Sequence, residues 1–197
     1  LEKNNTEGML TIKCERFDEQ NHACDKTCGE LTANGSNQGA GIGGGSGQDC
    51  QNVTISGGNI TANGGTEGSA GIGAGKNAVN DVKNIVINGG IIQTNVANPN
   101  GYGIGGSSRS KSAEIFVTGG SIFASFGYGS TRIEPSSTDG KQLYYMLVAN
   151  PSDENVIIDE KYYPAKHGDV DEIYVYLTGE THFITVNGKQ NHYHFND

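Results

Sequence analysis

Two glycine markers recur along this chain on one period. Gly-Ile-Gly triplets begin at Gly41, Gly71 and Gly103, spaced 30 and 32 residues apart. Gly-Gly pairs begin at Gly57, Gly89 and Gly119, spaced 32 and 30. Independent markers on a shared period signal a repeat architecture, in which each unit buries its apolar face only by stacking on its neighbours. Around the pairs the copies read NVTISGGNITANGG from Asn52, NIVINGGIIQTN from Asn84 and EIFVTGGSIFAS from Glu114. A degenerate first copy precedes them, because MLTIKC matches NVTISG and CGELTANG matches GGNITANG.

Within each copy the apolar period is two. Val53 and Ile55, Ile85 and Ile87, and Ile115 and Val117 alternate with outward positions. After the Gly-Gly corner, Ile60/Ala62, Ile92/Thr94 and Ile122/Ala124 do the same. This alternation is that of strands. Three short strands in about 30 residues match one coil of a parallel β-helix. The expected fold is therefore all-β: a short parallel β-helix of about four coils over residues 1–135. Right-handed coiling follows from the crossover rule for parallel strands. The chain holds 31 glycines in 197 residues. A flexible linker would use so many, but it would not keep isoleucines in phase. The glycines instead serve tight corners that need positive φ. Ile42, Ile72 and Ile104 are expected to stack as a third interior wall. Asn52 and Asn84 are placed to form an amide ladder along the stack.

The outward positions change in the last copy. Thr54 and Thr61 give way to Phe116 and Phe123, and exposed phenylalanines there call for a cover. From Lys141 the glycine bias ends, and residues 136–197 read as an antiparallel β cap or appended small β domain. QLYYMLVAN and NVIIDEKYYP each read as a strand, and EIYVYLTGETHFITVNGKQNHYHFND as a three-stranded meander. Gly179-Glu180 suits a type II′ turn and Asn187-Gly188 a type I′ turn. That register pairs Val175 with Ile184 and His182 with Tyr193, on an aliphatic core face. On the other face Tyr176, Phe183 and His192 form an aromatic row, which either packs on the β-helix or binds a ligand.

Four cysteines leave their chemistry open. Cys14 and Cys28 fall at one repeat position, and the segment 15–27 is inserted between them. The ends of such an excursion meet, which favours a Cys14–Cys28 disulfide and leaves Cys24 to pair with Cys50. The rival is structural zinc on His22, Cys24 and Cys28 with Cys14 or Cys50. Asp49 and Asp81 share a loop position and would stack, with calcium between them as the functional reading. His192 and His194 lie two apart on one strand face, a further metal reading.

Formal net charge is −9 and there is no Lys/Arg cluster, which excludes nucleic acid and anionic membranes as partners. No apolar run nears the roughly 18 residues of a membrane helix. The opening LEKNNTEG is no signal peptide, so a mature protein or a fragment of a larger chain is expected. No GxSxG, HExxH or phosphate loop occurs, and the GxGxxG-like strings have no helix after them. Some β-helix proteins cleave acidic polysaccharides with calcium, several Asp and a basic residue. Here the helix body has two arginines, Arg109 and Arg132, and no Asp cluster. An ice-binding face would want ranks of Thr, and only Thr11/Thr54 and Thr32/Thr61 stack.

The combination LTI…GELTANG…GAGIGGG…NVTISGGNITANGG…GAGIG resembles Gly-rich β-helix repeats in large surface proteins of gut Firmicutes and related bacteria. The resemblance covers residues 9–134 well and the rest loosely. It implies an extracellular or cell-surface module beside adhesion and wall-anchoring segments, and carries over no catalytic residue. The expected function is a non-catalytic spacer or adhesin-like segment. The alternative is a carbohydrate-binding module meeting a polysaccharide or host-surface ligand, and polysaccharide lyase weighs least. For sugar binding the candidates are Tyr102 and Tyr128 on the Gly-rich edge, then Tyr176, Phe183 and His192.

Overall fold

In the computed structural model, residues 1–3, 8–14, 28–128, 131–149, 156–163 and 172–195 are described. They form a β-solenoid with antiparallel strands at its C-terminal end, and no helix occurs among them.

The solenoid has three faces. The first carries β1 (Leu10–Ile12), β4 (Gln51–Ile55), β7 (Val82–Ile87) and β10 (Ala113–Val117). The second carries β2 (Glu30–Asn34), β5 (Asn59–Asn63), β8 (Ile91–Asn95) and β11 (Ser121–Phe123). The third carries β3 (Ile42–Gly43), β6 (Ile72–Gly73), β9 (Ile104–Gly105) and β12 (Phe126–Tyr128). Each face is a parallel sheet four strands deep, and the repeat register is the one the sequence predicts. Leu10, Val53, Ile85 and Ile115 share one column, and Ile12, Ile55, Ile87 and Val117 the next. Leu31, Ile60, Ile92 and Ile122 line the second face. Ile42, Ile72 and Ile104 line the third, and Phe126 completes that column. The central isoleucines are fully buried. One interior position breaks the pattern: Thr94 follows Ala33 and Ala62, and its buried hydroxyl has no hydrogen-bond partner.

Glycine is required where the third wall turns. Gly43, Gly73 and Gly105 have φ of 135°, 135° and 134°, and a Cβ on Gly73 would lie 2.0 Å from the Gly105 carbonyl oxygen. A side chain there meets the backbone of the next rung, so the wall closes only with glycine. At the corners, Gly58, Gly90 and Gly120 also have positive φ. Between rungs, Asn84 Nδ2 donates to Asn52 Oδ1 at 2.9 Å, the predicted ladder. A longer ladder at the end of the second face escaped the sequence reading: Asn95 Nδ2 donates to Asn63 Oδ1 at 2.8 Å, and Asn63 Nδ2 to Asn34 Oδ1 at 2.6 Å.

At the C-terminal end each face meets its own cover. On the third, β13 (Thr131–Arg132) folds back antiparallel on β12. On the first, Ser136 pairs with Phe116, and Gln142 pairs with Ser136. On the second, β17 (Glu172–Leu177) lies against β11, and Tyr174 N donates to Ser121 Oγ at 3.1 Å. Covered edges remove the template for strand addition. At the other end, Leu1–Lys3 bond to the third face through Leu1 N to Gly41 O at 2.8 Å and Lys3 N to Gly43 O at 2.7 Å.

The C-terminal strands depart from the predicted meander. β17 pairs antiparallel with β14 (Tyr144–Ala149), Tyr145 opposite Tyr176. β18 (Thr181–Val186) pairs instead with β15 (Val156–Ile158) and β19 (Lys189–His194). Val175 therefore does not pair with Ile184. The reason is the connection: Gly179 does not take the positive φ of a type II′ turn, and the chain crosses from one sheet to the other. The two sheets enclose a second core of Val148, Val156, Ile158, Tyr163, Ile173, Val175, Leu177 and Ile184. Asn187-Gly188 does have φ of 52° and 70°, and His182 does face Tyr193. NVIIDEKYYP is two strands rather than one, because Asp159 and Glu160 turn with φ of 48° and 68° between β15 and β16 (Lys161–Tyr163). β17 serves both cores: Ile173, Val175 and Leu177 enter the second, and Tyr176 enters the solenoid's beside Leu143.

Cys14 and Cys28 form a disulfide with Cα atoms 5.5 Å apart. Cys50 is a correction, being a free thiol buried in the solenoid core, with its pKa pushed up to about 12 by desolvation. The predicted Cys24–Cys50 bridge is therefore absent. The zinc set fails too, because the Cys28 sulfur is spent in the disulfide; His22 and Cys24 lie outside the described residues. The bridge closes a loop with a sequence separation of 14. Such a loop contributes about 3 kcal/mol through the unfolded chain. The double substitution Cys14→Ser/Cys28→Ser should lower unfolding free energy by about that amount in a guanidinium titration. An unchanged midpoint would show that the bridge adds nothing.

Candidate functional site

The outward column of the second face runs Thr32, Thr61, Gln93 and then Phe123. At that last step β17 and β14 arrive with tyrosines on the solenoid side. Alternation on β17 sends its aliphatic residues into the second core and turns Tyr174 and Tyr176 toward the solenoid. The rings form a continuous run. Phe126 meets Tyr176 edge-on at 5.1 Å, Tyr176 lies 5.5 Å from Tyr145, Tyr145 6.0 Å from Tyr174, and Tyr174 4.9 Å from Phe123. These separations are those of interacting aromatic pairs.

Beside this run opens a cleft of about 420 Å³, lined by Phe123, Ser125, Arg132, Tyr145, Tyr176 and the solenoid residues Thr94, Ile122 and Ala124. Tyr176 is its buried floor, whereas Phe123 and Tyr145 are 47% and 46% exposed. Arg132 enters from β13, and its Nε lies 3.6 Å from Glu134 Oε1. Desolvation raises the pKa of Tyr145 and Tyr176, so both phenols keep their protons at physiological pH. Ser125 Oγ accepts the Gly103 N–H at 3.0 Å, which leaves its own proton to donate.

The predicted aromatic row is divided. Tyr176 packs on the solenoid as the core reading expects, but Phe183 and His192 face one another across β18 and β19, both exposed and apart from the cleft. Tyr102 and Tyr128 are half-buried on the third face. The Tyr102 ring covers Gly127, so packing explains it. The row fails because it assumed that β17 pairs with β18. Sequence reasoning missed Tyr145 and set Arg132 aside.

A second cluster lies on the far side of β17. His182 is buried, with Nδ1 2.5 Å from Asp159 Oδ2 and Nε2 2.9 Å from the Thr178 carbonyl oxygen. Asp159 Oδ1 also accepts the Phe183 N–H at 2.8 Å. Both imidazole nitrogens are engaged, so this cluster is a strut between the β15–β16 turn and β18. It also holds an Asp-Glu pair in a conformation that favours Asn or Gly. Asp49 and Asp81 are each engaged with other partners. The Asp49 carboxylate accepts Asn80 N at 3.1 Å and Nδ2 at 2.6 Å, and Asp81 Oδ2 lies 3.8 Å from Lys83 Nζ, so both carboxylates serve loop contacts. His194 contacts Thr181 Oγ1 at 3.3 Å, and no group of three or more potential ligands is found among the described residues.

No match to this chain is found among protein-family models, curated proteins or solved structures.

Proposed function

We propose that the chain is a non-catalytic module of a bacterial cell-surface protein, a spacer or adhesin-like segment that works outside the cell. The observation that carries this reading is the build of the solenoid. Its rungs are hydrogen-bonded along the axis, and all three faces are covered at the C-terminal end. Such a stack resists bending and edge-to-edge association. The disulfide favours an oxidising compartment. Three carboxylates are taken up by structure: Asp49 holds Asn80, Glu67 holds Lys76 at 2.5 Å, and Asp159 holds His182. A lyase needs carboxylates or a base turned to substrate instead.

The test is incubation with polygalacturonate, alginate and hyaluronan, followed by ultraviolet absorbance for unsaturated ends and a reducing-sugar assay. The expected result is no product from any of them. Product that is lost with Arg132→Ala would overturn the non-catalytic reading. A second reading, carbohydrate binding without cleavage, is favoured by the cleft beside Tyr145.

A further inference from the structure

We infer that the cleft between the last rung and the β14–β17 pair binds a neutral oligosaccharide. Phe123 and Tyr145 would be its stacking platforms, and the Arg132–Glu134 pair its polar clamp. This rests on the second reading above and gives it a place and a ligand class.

Four observations carry it. The first is the exposed aromatic surface. Earlier rungs place Thr32, Thr61 and Gln93 in the column that ends in Phe123, so the solenoid itself does not require a ring there. Capping does not fully account for it either, because Phe123 and Tyr145 stay nearly half exposed once the strands have docked. The second is shape. A cleft of about 420 Å³ lies within the range of small-molecule sites, roughly 300–1,000 Å³. Its rings stand on paired strands rather than on a loop, so the platform is held in place without the ligand.

The third is polar chemistry. The Arg132 side chain is 71% exposed and carries a fork of donors, and Glu134 beside it is an acceptor. Sugar hydroxyls donate and accept, so adjacent hydroxyls can meet both groups at once. Proline-rich peptide, the other common guest of tyrosine-lined grooves, brings few donors for Glu134. The fourth is charge. The chain carries −9, Glu134 lies beside Arg132, and Glu172 lies 3.5 Å from the Tyr174 hydroxyl, which disfavours acidic polysaccharides.

The experiment is native affinity electrophoresis in gels containing galactomannan, xyloglucan or mixed-linkage β-glucan. Polygalacturonate gels and a proline-rich peptide in solution are the competing arms. The expected result is retardation in at least one neutral gel. Tyr145→Ala should weaken binding about tenfold, as loss of a stacking ring does. Tyr145→Phe should keep the platform and most of the affinity. Phe183→Ala, an exposed ring outside the cleft, should change nothing. Circular dichroism on each variant separates loss of binding from loss of fold. Mobility unchanged in every neutral gel, retardation by polygalacturonate alone, binding of the peptide alone, or full affinity in a folded Tyr145→Ala variant would each overturn the proposal. Failure in the neutral gels leaves the non-catalytic reading standing, because that reading is tested by product formation.

Discussion

Gly73→Ala is expected to abolish the solenoid rather than weaken it. The new Cβ would sit 2.0 Å from the Gly105 carbonyl oxygen, where ordinary contact needs at least 3.4 Å. The obstacle is backbone, so no side chain can swing away. Rungs stack about 4.8 Å apart, and opening that gap by more than 1 Å breaks the N–H···O bonds between them. Those bonds include Ala74 N to Gly105 O at 2.9 Å. A φ of 135° adds strain for any side chain. The sum is comparable with the whole stability of a typical domain, about 5–15 kcal/mol. Gly47→Ala is the control. It also has positive φ, 72°, but nothing lies within 4 Å of its Cβ, so it should cost only about 1–2 kcal/mol. Circular dichroism and gel filtration check both. A folded Gly73→Ala variant would mean that the third wall is looser than drawn.

Tyr176→Ala should free the cap while leaving the first rungs in place. Tyr176 is 5% exposed, shares the solenoid core with Leu143, and meets Phe126 edge-on. Truncating a buried aromatic costs about 3–5 kcal/mol, transfer and cavity together. Because β17 also lines the second core, the loss should spread through β14 and β17 and raise their amide exchange. Exchange in β4 and β7 should not change. Tyr176→Phe keeps the ring and should behave as the parent does. Equal exchange in the cap of Tyr176→Ala and the parent would show that it is held elsewhere, for instance through Phe123 and Tyr174.

The solenoid was legible because one physical rule repeats in it. Each rung alternates inward and outward residues between the same glycines, so Val53, Ile85 and Ile115 could be set in one column without knowing the shape of the coil. The cap offered no such redundancy. Ile173, Val175 and Leu177 mark a buried face of β17 whether its partner is β14 or β18, so alternation identified the face and not the neighbour. The Asp159-Glu160 turn carries neither Gly nor Asn. What holds it is His182 and the Phe183 amide, more than twenty residues away, and no local rule reaches that far. The cleft was half legible for the same reason. Tyr176 stood out as aromatic on a strand, but Tyr145 joins it only through the long-range β14–β17 pairing, and Arg132 through the fold-back of β13 on β12, which no Gly-Gly marker announces.

The covered C-terminal end separates the length of this rod from its termination. Among the described residues each rung bonds to the rungs above and below it, and the strands that close the stack bond to the last. Duplicating one 30- to 32-residue unit in the middle would therefore add about 4.8 Å of axis without altering a contact at the cap. A gene encoding such a chain holds a ruler that grows by duplication of whole units. Whatever the cap presents is carried outward one fixed step at a time.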